Sequence, residues 1–165
     1  MPGLTDRRAF ALAALACALL LAYGYFLQHV QGLEPCPLCL VQRAFFYAVL
    51  AVCLAGAWHG RWPRFYSSVA GVFAAGGAAA AARQVWLQHL PADKVPQCGP
   101  DLFFMLENFP LSRTFNTLFS GTGECAVVDW TFLGLSIAEW SLLWFVALAL
   151  YFVWIAVAKE RRVNA

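Results

Sequence analysis

The chain has 165 residues, of which 62% are hydrophobic and 12% are charged, and its net charge is +2. Soluble domains are about 45–50% apolar and about 25% charged. The composition therefore excludes an ordinary soluble domain and predicts a protein of the lipid bilayer. The sequence has no run of basic residues, so we expect no nucleic-acid partner.

Four uncharged runs approach the length of about 20 residues that a helix needs to cross a bilayer. They are residues 9–27, 44–58, 65–82 and 140–158. The second run is short, so its helix should begin near residue 39, with Pro37 at the first helical position and Cys36 near the N-cap. We predict an all-α membrane protein, a four-transmembrane-helix bundle forming a single domain over residues 1–165. Its predicted spans are residues 9–27, 39–58, 65–87 and 140–158.

Basic residues flank the spans at three places that share one side of a four-span bundle. These residues are Arg7, Arg8, Arg61, Arg64, Lys159, Arg161 and Arg162. Basic flanks mark the cytoplasmic side, so we predict a multi-pass protein of the bacterial inner membrane with both termini in the cytoplasm. The loops at about residues 28–38 and 88–139 are then periplasmic. A cleaved signal peptide is the alternative for the first run, but that run is longer than a usual signal core.

The six cysteines fall into two groups. Cys17 and Cys53 lie in the middle of spans, where free cysteine behaves as a small buried hydrophobe. The other four lie two by two in or beside the predicted periplasmic loops and are Cys36, Cys39, Cys98 and Cys125. The bacterial periplasm is oxidising, so these four are the candidates for disulfide chemistry.

The stretch "PCPLCLVQR" places a cysteine pair at the start of the second predicted helix. Cys39 and Arg43 are four residues apart and share a helix face. A helix N-terminus and a guanidinium both favour a thiolate, which indicates redox chemistry within reach of a lipid-soluble acceptor. A structural Cys36–Cys39 disulfide and a metal site of four cysteines are alternatives. We predict no metal, because Cys98 and Cys125 are far apart in sequence and Arg43 suits a metal poorly.

The second periplasmic loop is unusually apolar between residues 102 and 119. A helix lying on the membrane surface would explain this composition, and a small packed cap over the bundle is the alternative. A Cys98–Cys125 disulfide in this loop could be structural or could exchange with the first pair.

Three stretches resemble one family: "PCPLC" followed by "VQR", "ARQVWLQH" after the third span, and "GECAVVDWTFLGLSIAEWSLL" before the fourth. These stretches are similar to those of the DsbB family, bacterial inner-membrane enzymes that reoxidise the periplasmic thiol oxidase DsbA with quinone. The resemblance implies that Cys98 takes the mixed disulfide with a DsbA-like partner and that Cys125 then attacks Cys36. It also implies that Cys39 faces ubiquinone or menaquinone beside Arg43, with His89 nearby. The segment "GPDLFFMLENFPL" after Cys98 departs from the family pattern.

The expected activity is therefore oxidation of a protein dithiol coupled to quinone reduction. The sequence has no dinucleotide fingerprint and no haem or iron–sulfur spacing, which favours a diffusible quinone as acceptor. One alternative is an enzyme like vitamin K epoxide reductase, although that family carries its cysteine pair on the last bundle helix. Another is a non-catalytic tetraspan protein with structural loop disulfides, which would not need Arg43 at the membrane edge.

Overall fold

The computed structural model describes residues 2–96, 110 and 121–163, and these form mainly long helices. The helices are α1 (Pro2–Val30), α2 (Pro37–His59), α3 (Pro63–Gln88) and α4 (Ile137–Val163). Each contains a segment long and apolar enough to cross a membrane: Asp6–Val30, Pro37–His59, Pro63–Gln88 and Ile137–Ala158. The prediction of an all-α fold with four spans is confirmed.

Each helix extends past the predicted span that it contains, because backbone hydrogen bonds continue beyond the apolar run. The connection between α1 and α2 is consequently only residues 31–36. The proposed interfacial segment, residues 102–119, lies outside the described residues apart from Pro110.

The ends of α2 are set by residues suited to helix termini. Pro37 is the first helical residue, where its missing N–H costs no hydrogen bond. Cys36 is the N-cap, and its sulfur accepts a hydrogen bond from the backbone N–H of Cys39 at 3.4 Å. At the other end, Gly60 adopts φ +59° and its N–H donates to the carbonyl of Gly56. The helix therefore begins where Pro37 indicated, with Cys36 fixed at its tip.

The bundle core is closed by aromatic rings and small residues. Helix α3 packs against both α2 and α4, and α1 packs against α2. The rings of Phe46 and Phe145 stack with centroids 3.9 Å apart, and a Cβ at Gly77 would overlap the Phe145 ring. Small residues allow such close helix packing in membranes. Cys17 and Cys53 are fully buried in this core, which confirms their interpretation as small hydrophobes.

A short hairpin precedes α4 and was not predicted. Strand β1 (Thr131–Phe132) pairs antiparallel with β2 (Leu135–Ser136). Leu133 and Gly134 between them both have positive φ, as a two-residue hairpin turn requires. The sequence pattern assigns these residues to the second periplasmic loop, because Leu-Gly is not a common hairpin signal and two-residue strands carry no visible alternation.

Helix α4 starts with a capping box that also ties the hairpin to α3. The hydroxyl of Ser136 accepts from the backbone N–H of Glu139, and the backbone N–H of Ser136 donates to the Glu139 carboxylate at 2.7 Å. The same hydroxyl donates to the side-chain oxygen of Gln88 at 2.9 Å. The hairpin is thus held beside the C-terminal end of α3.

Candidate functional site

Three cysteines meet at the N-terminal end of α2. The sulfurs of Cys36 and Cys39 are 2.9 Å apart, and both residues are free thiols. Cys125, from a 3₁₀ helix at Gly123–Ala126, is buried against Leu38 and Leu87. The structure therefore brings together three of the four predicted redox cysteines. Cys98 lies outside the described residues, and its role stays a prediction.

A glycine allows the second loop to approach the helices this closely. Gly121 has φ +76°, and a Cβ there would lie 2.5 Å from a methyl group of Leu87 and 2.8 Å from one of Leu38. The backbone N–H of Cys125 then donates to the carbonyl of Thr122 at 2.9 Å. The close contact of Gly121 with Leu38 and Leu87, and the turn that follows it, place Cys125 beside the start of α2.

Hydrogen bonds at the start of α2 change the pKa values of Cys36 and Cys125 in opposite directions. The Cys36 thiol donates a hydrogen bond to Cys125, and this bond, helped by the backbone N–H groups of Leu38 and Thr122, lowers the pKa of Cys125 to about 6. The pKa of Cys36 is raised, chiefly because its proton is held in the bond to Cys125 and also in the bond to Cys39. In the fully reduced protein this hydrogen bond favours the thiolate on Cys125 and the thiol on Cys36. A helix N-terminus favours this arrangement, since its first N–H groups need acceptors.

Arg43 is held by contacts to α1. Its guanidinium donates to the side-chain oxygen of Gln28 at 2.5 Å and to the carbonyl of Gly24 at 3.0 Å. It also lies 4.8 Å from the ring centroid of Tyr25, within the range of a cation–π contact. The charge predicted at the membrane edge is thereby fixed in one position.

A cavity of about 450 Å³ lies beside the cysteine pair, and both Cys39 and Arg43 line it. Its walls come from α1, the start of α2, the hairpin and the start of α4. The aromatic lining residues are Tyr23, Phe46, Trp130, Phe132, Trp140 and Trp144. The size lies in the usual range of about 300–1,000 Å³ for small-molecule sites. The cavity, named here the aromatic cavity, suits a flat apolar ligand.

His89 lies apart from the aromatic cavity. It is the C-cap of α3, it is exposed, and its ring Nδ1 is 2.8 Å from the carbonyl of Val85. It is not among the residues that line the cavity. Its assignment to a quinone site stays a prediction based on resemblance.

Two buried glutamines at the site were missed by the sequence analysis. Gln42 and Gln84 are 3% and 4% exposed, and the Gln42 amide donates to the Gln84 oxygen at 2.6 Å. The Gln84 amide nitrogen is 3.3 Å from the sulfurs of both Cys36 and Cys39. A polar residue inside a predicted span was the available signal, since Gln42 follows Cys39 by one helical turn.

Comparisons with known proteins agree with this geometry. The family model "Disulfide bond formation protein DsbB" matches residues 6–155. The chain is 46% identical over 153 residues to disulfide bond formation protein B of Stutzerimonas stutzeri, covering 91% of this chain and 94% of the relative. It is 47% identical over 165 residues to the protein of that name from Hahella chejuensis, covering 98% and 100% of the two chains.

A third relative, disulfide bond formation protein B 1 of Pseudomonas aeruginosa, is 48% identical over 150 residues, with 89% and 92% covered. The family match spans all four helices. The chain therefore belongs to the DsbB family and is a multi-pass membrane protein with a role in disulfide bond formation.

Proposed function

We propose that this protein reoxidises a periplasmic DsbA-like thiol oxidase and passes the electrons to membrane quinone, with both of its termini in the cytoplasm of the bacterial cell. One observation carries the proposal. Cys36, Cys39 and Cys125 meet at the edge of the aromatic cavity, and Cys39 is part of its wall. This arrangement supports dithiol chemistry coupled to a small apolar acceptor.

The cysteines act as a relay of disulfide exchanges. The partner's thiolate attacks the Cys98–Cys125 disulfide and bonds to Cys98, as the family resemblance implies, and Cys125 leaves as a thiolate. Cys125 then attacks Cys36 of the Cys36–Cys39 disulfide. The Cys36–Cys125 bond forms, the Cys36–Cys39 bond breaks, and Cys39 keeps the electron pair as a thiolate.

Two further exchanges complete the transfer. The partner's second thiol attacks the mixed disulfide, so that the partner leaves oxidised and Cys98 is reduced. Cys98 then attacks Cys125, which restores the Cys98–Cys125 disulfide and leaves Cys36 and Cys39 reduced. Two electrons have moved from the partner to this pair, and the pair must then be oxidised.

The aromatic cavity fits a quinone as the acceptor. Its rings offer flat apolar surfaces, and Arg43 offers hydrogen-bond donors at a position fixed by Gln28 and Gly24. When bound, a quinone supplies an acceptor for two electrons and two protons and leaves as the quinol. Ubiquinone and menaquinone share this chemistry. Tyr23 and Trp144 line the cavity and are also exposed on the bundle surface, where lipid-soluble ligands would arrive.

A turnover assay tests the proposal. The purified protein in detergent is mixed with a reduced DsbA-like protein and a quinone, and the quinone absorbance is followed. We expect one quinone to be consumed for each partner dithiol that is oxidised. Cys39→Ser should abolish turnover, whereas Cys17→Ala should retain it. Failure of the unmodified protein to consume either quinone would contradict the proposal.

A further inference from the structure

The two buried glutamines lie between α2 and α3, inside the membrane-spanning part of the molecule. A buried amide without partners is costly, so both are expected to be hydrogen-bonded. Their bonds run to each other and to the cysteine pair. Since the Gln84 amide is bonded to the sulfurs themselves, it can act on their chemistry.

The bond between the glutamines fixes the orientation of the Gln84 amide. Gln42 donates to the Gln84 oxygen at 2.6 Å, and this oxygen is therefore held against the Gln42 amide. The NH₂ group of Gln84 is then turned toward the sulfurs of Cys36 and Cys39, at 3.3 Å from each. An NH₂ group has two hydrogens, so it can donate to both sulfurs at once.

After the Cys36–Cys39 disulfide has opened, Cys39 depends on this amide more than its neighbours do. The backbone N–H of Cys39 donates to Cys36, and the backbone N–H of Leu38 donates to Cys125. In the reduced pair the Cys36 thiol also donates to the Cys39 sulfur at 2.9 Å, but once Cys36 is joined to Cys125 it has no proton to donate. Gln84 offers the Cys39 sulfur a donor from α3, and its oxygen, at 3.6 Å, can accept from Cys39 while that residue is a thiol.

We propose that Gln84 is a positioning residue for the redox pair, donating hydrogen bonds that stabilise the thiolate left on Cys39 when the Cys36–Cys39 disulfide opens, with Gln42 fixing the orientation of its amide. The inference rests on the proposed function, because it concerns the thiolate which that relay produces. No proton is required in the opening step, since the electron pair of the broken bond stays on Cys39. A donor to the thiolate stabilises the reduced form relative to the disulfide.

The test uses the full-length reduced protein without quinone and without a protein partner. The chain is equilibrated with glutathione buffers, and alkylation with mass spectrometry gives the fraction that holds Cys36 and Cys39 in a disulfide. In Gln84→Met, which keeps the length but loses the donor, we expect the equilibrium to shift about tenfold toward the disulfide, the size of a hydrogen bond to a charged group. The alkylation rate of Cys39 at neutral pH should fall similarly.

Two further variants make the result decisive. Gln88→Met, one turn along α3, removes an amide that bonds Ser136 instead of the sulfurs, and both readouts should match the unmodified protein. Gln42→Met keeps Gln84 but frees its amide to rotate, so a smaller shift in the same direction is expected. Equal values for Gln84→Met and Gln88→Met would overturn the inference. Should Gln84→Met not fold, an unshifted equilibrium in Gln42→Met would overturn it as well.

These measurements stand apart from the proposed function. A protein that oxidises no partner and reduces no quinone can still show the shift caused by Gln84. Conversely, quinone-dependent turnover with an unchanged equilibrium in Gln84→Met would reject the role of Gln84 alone.

Discussion

At the scale of single residues, the reduced protein has a hydrogen bond in which the Cys36 thiol donates its proton to the Cys125 sulfur. The Cys36 thiol is a donor, and the Cys125 sulfur also accepts from the Leu38 N–H at the start of α2. The nucleophile of a disulfide exchange must be a thiolate. When Cys36 is in a disulfide with Cys39 it has no proton to donate, so the thiolate that attacks Cys36 is favoured by the Leu38 N–H and by its release as the leaving group of the Cys98–Cys125 disulfide.

A titration of the reduced protein checks the hydrogen bond between Cys36 and Cys125. Because its pKa is lowered to about 6, Cys125 should be a thiolate above pH 6 and a thiol below it. The thiolate absorbance step that disappears in Cys125→Ser belongs to this residue. In Cys36→Ala, which removes the largest cause of the shift, that step should move toward the ordinary cysteine value of roughly 8.5. Cys17→Ala is the matched control, and an unmoved step in Cys36→Ala would refute the assignment.

Arg43 is predicted to control quinone binding. Arg43→Ala removes the fixed guanidinium, so we expect the quinone Michaelis constant to rise about tenfold, the size of one charge-assisted hydrogen bond. Arg43→Lys keeps the charge without the planar fork that reaches both Gln28 and Gly24, and its effect should be intermediate. Steady-state kinetics at varied quinone provide the measurement. Arg61→Ala, in the exposed loop between α2 and α3, serves as control, and an unchanged constant in Arg43→Ala would remove Arg43 from the site.

At the scale of elements, the site depends on how closely the second loop approaches α2 and α3. Gly121 and Gly134 both have positive φ, at +76° and +81°. An added Cβ would strain both positions, but only at Gly121 would it also meet Leu38 and Leu87, whereas nothing lies within 4 Å at Gly134. Both turns thus need glycine, and only one of them positions a cysteine.

Alanine substitutions at Gly121 and Gly134 distinguish the effect of the contact between Gly121 and the helices from the effect of backbone strain. Gly121→Ala should displace Cys125 and slow formation of the Cys36–Cys125 disulfide by about tenfold to a hundredfold, as small misplacements of reacting groups do. Gly134→Ala carries a similar strain and should leave that rate nearly unchanged. Acid quenching followed by mass spectrometry of disulfide-linked peptides measures both rates. Equal rates in the two variants would mean that the contact of Gly121 does not position Cys125.

The elements that depend on local sequence could be predicted. Uncharged runs located the four helices, and Pro37 located the start of α2 with Cys36 at its cap. Helix propensity, proline geometry and bilayer thickness act within one segment, so a single sequence is enough to apply them. The pairing of Cys39 with Arg43 on one helix face is likewise local, and both residues line the aromatic cavity.

Contacts between distant segments could not be predicted. The bond between Gln42 and Gln84 depends on how α2 packs against α3, and no property of either residue specifies its partner. The aromatic cavity takes its walls from elements far apart in the sequence. The hairpin was missed because its turn, Leu133–Gly134, has no common signature. These features arise from tertiary packing.

At the scale of the whole molecule, the relay needs its cysteines on the oxidising side of the membrane. The ends of α1 and α3, the start of α2 and the start of α4 lie at one end of the bundle with the cysteine cluster, since Cys125 contacts Leu38 and Leu87 and Ser136 contacts Gln88. The loop between α2 and α3 lies at the opposite end. The basic residues of that loop predict that it is cytoplasmic.

Added cysteines test this orientation. Gln31→Cys and Arg61→Cys each place one exposed thiol at opposite ends of the bundle. A maleimide that cannot cross the inner membrane should label Gln31→Cys in intact cells and label Arg61→Cys only after lysis. Both substitutions are made in a chain in which serine replaces the four candidate redox cysteines, Cys36, Cys39, Cys98 and Cys125. That parent chain is the control, since its remaining Cys17 and Cys53 are buried. Labelling of Arg61→Cys from outside would reverse the assigned topology.

The most direct test of the relay is to identify the disulfide that forms between the two loops. The oxidised protein is mixed with the reduced DsbA-like partner without quinone, quenched in acid, alkylated and digested for mass spectrometry. We expect a peptide pair joined through Cys36 and Cys125 to accumulate, with Cys39 released as an alkylated thiol. If the partner is oxidised and Cys36 and Cys39 become reduced, while no peptide pair joined through Cys36 and Cys125 is found at any time, the proposed relay is wrong.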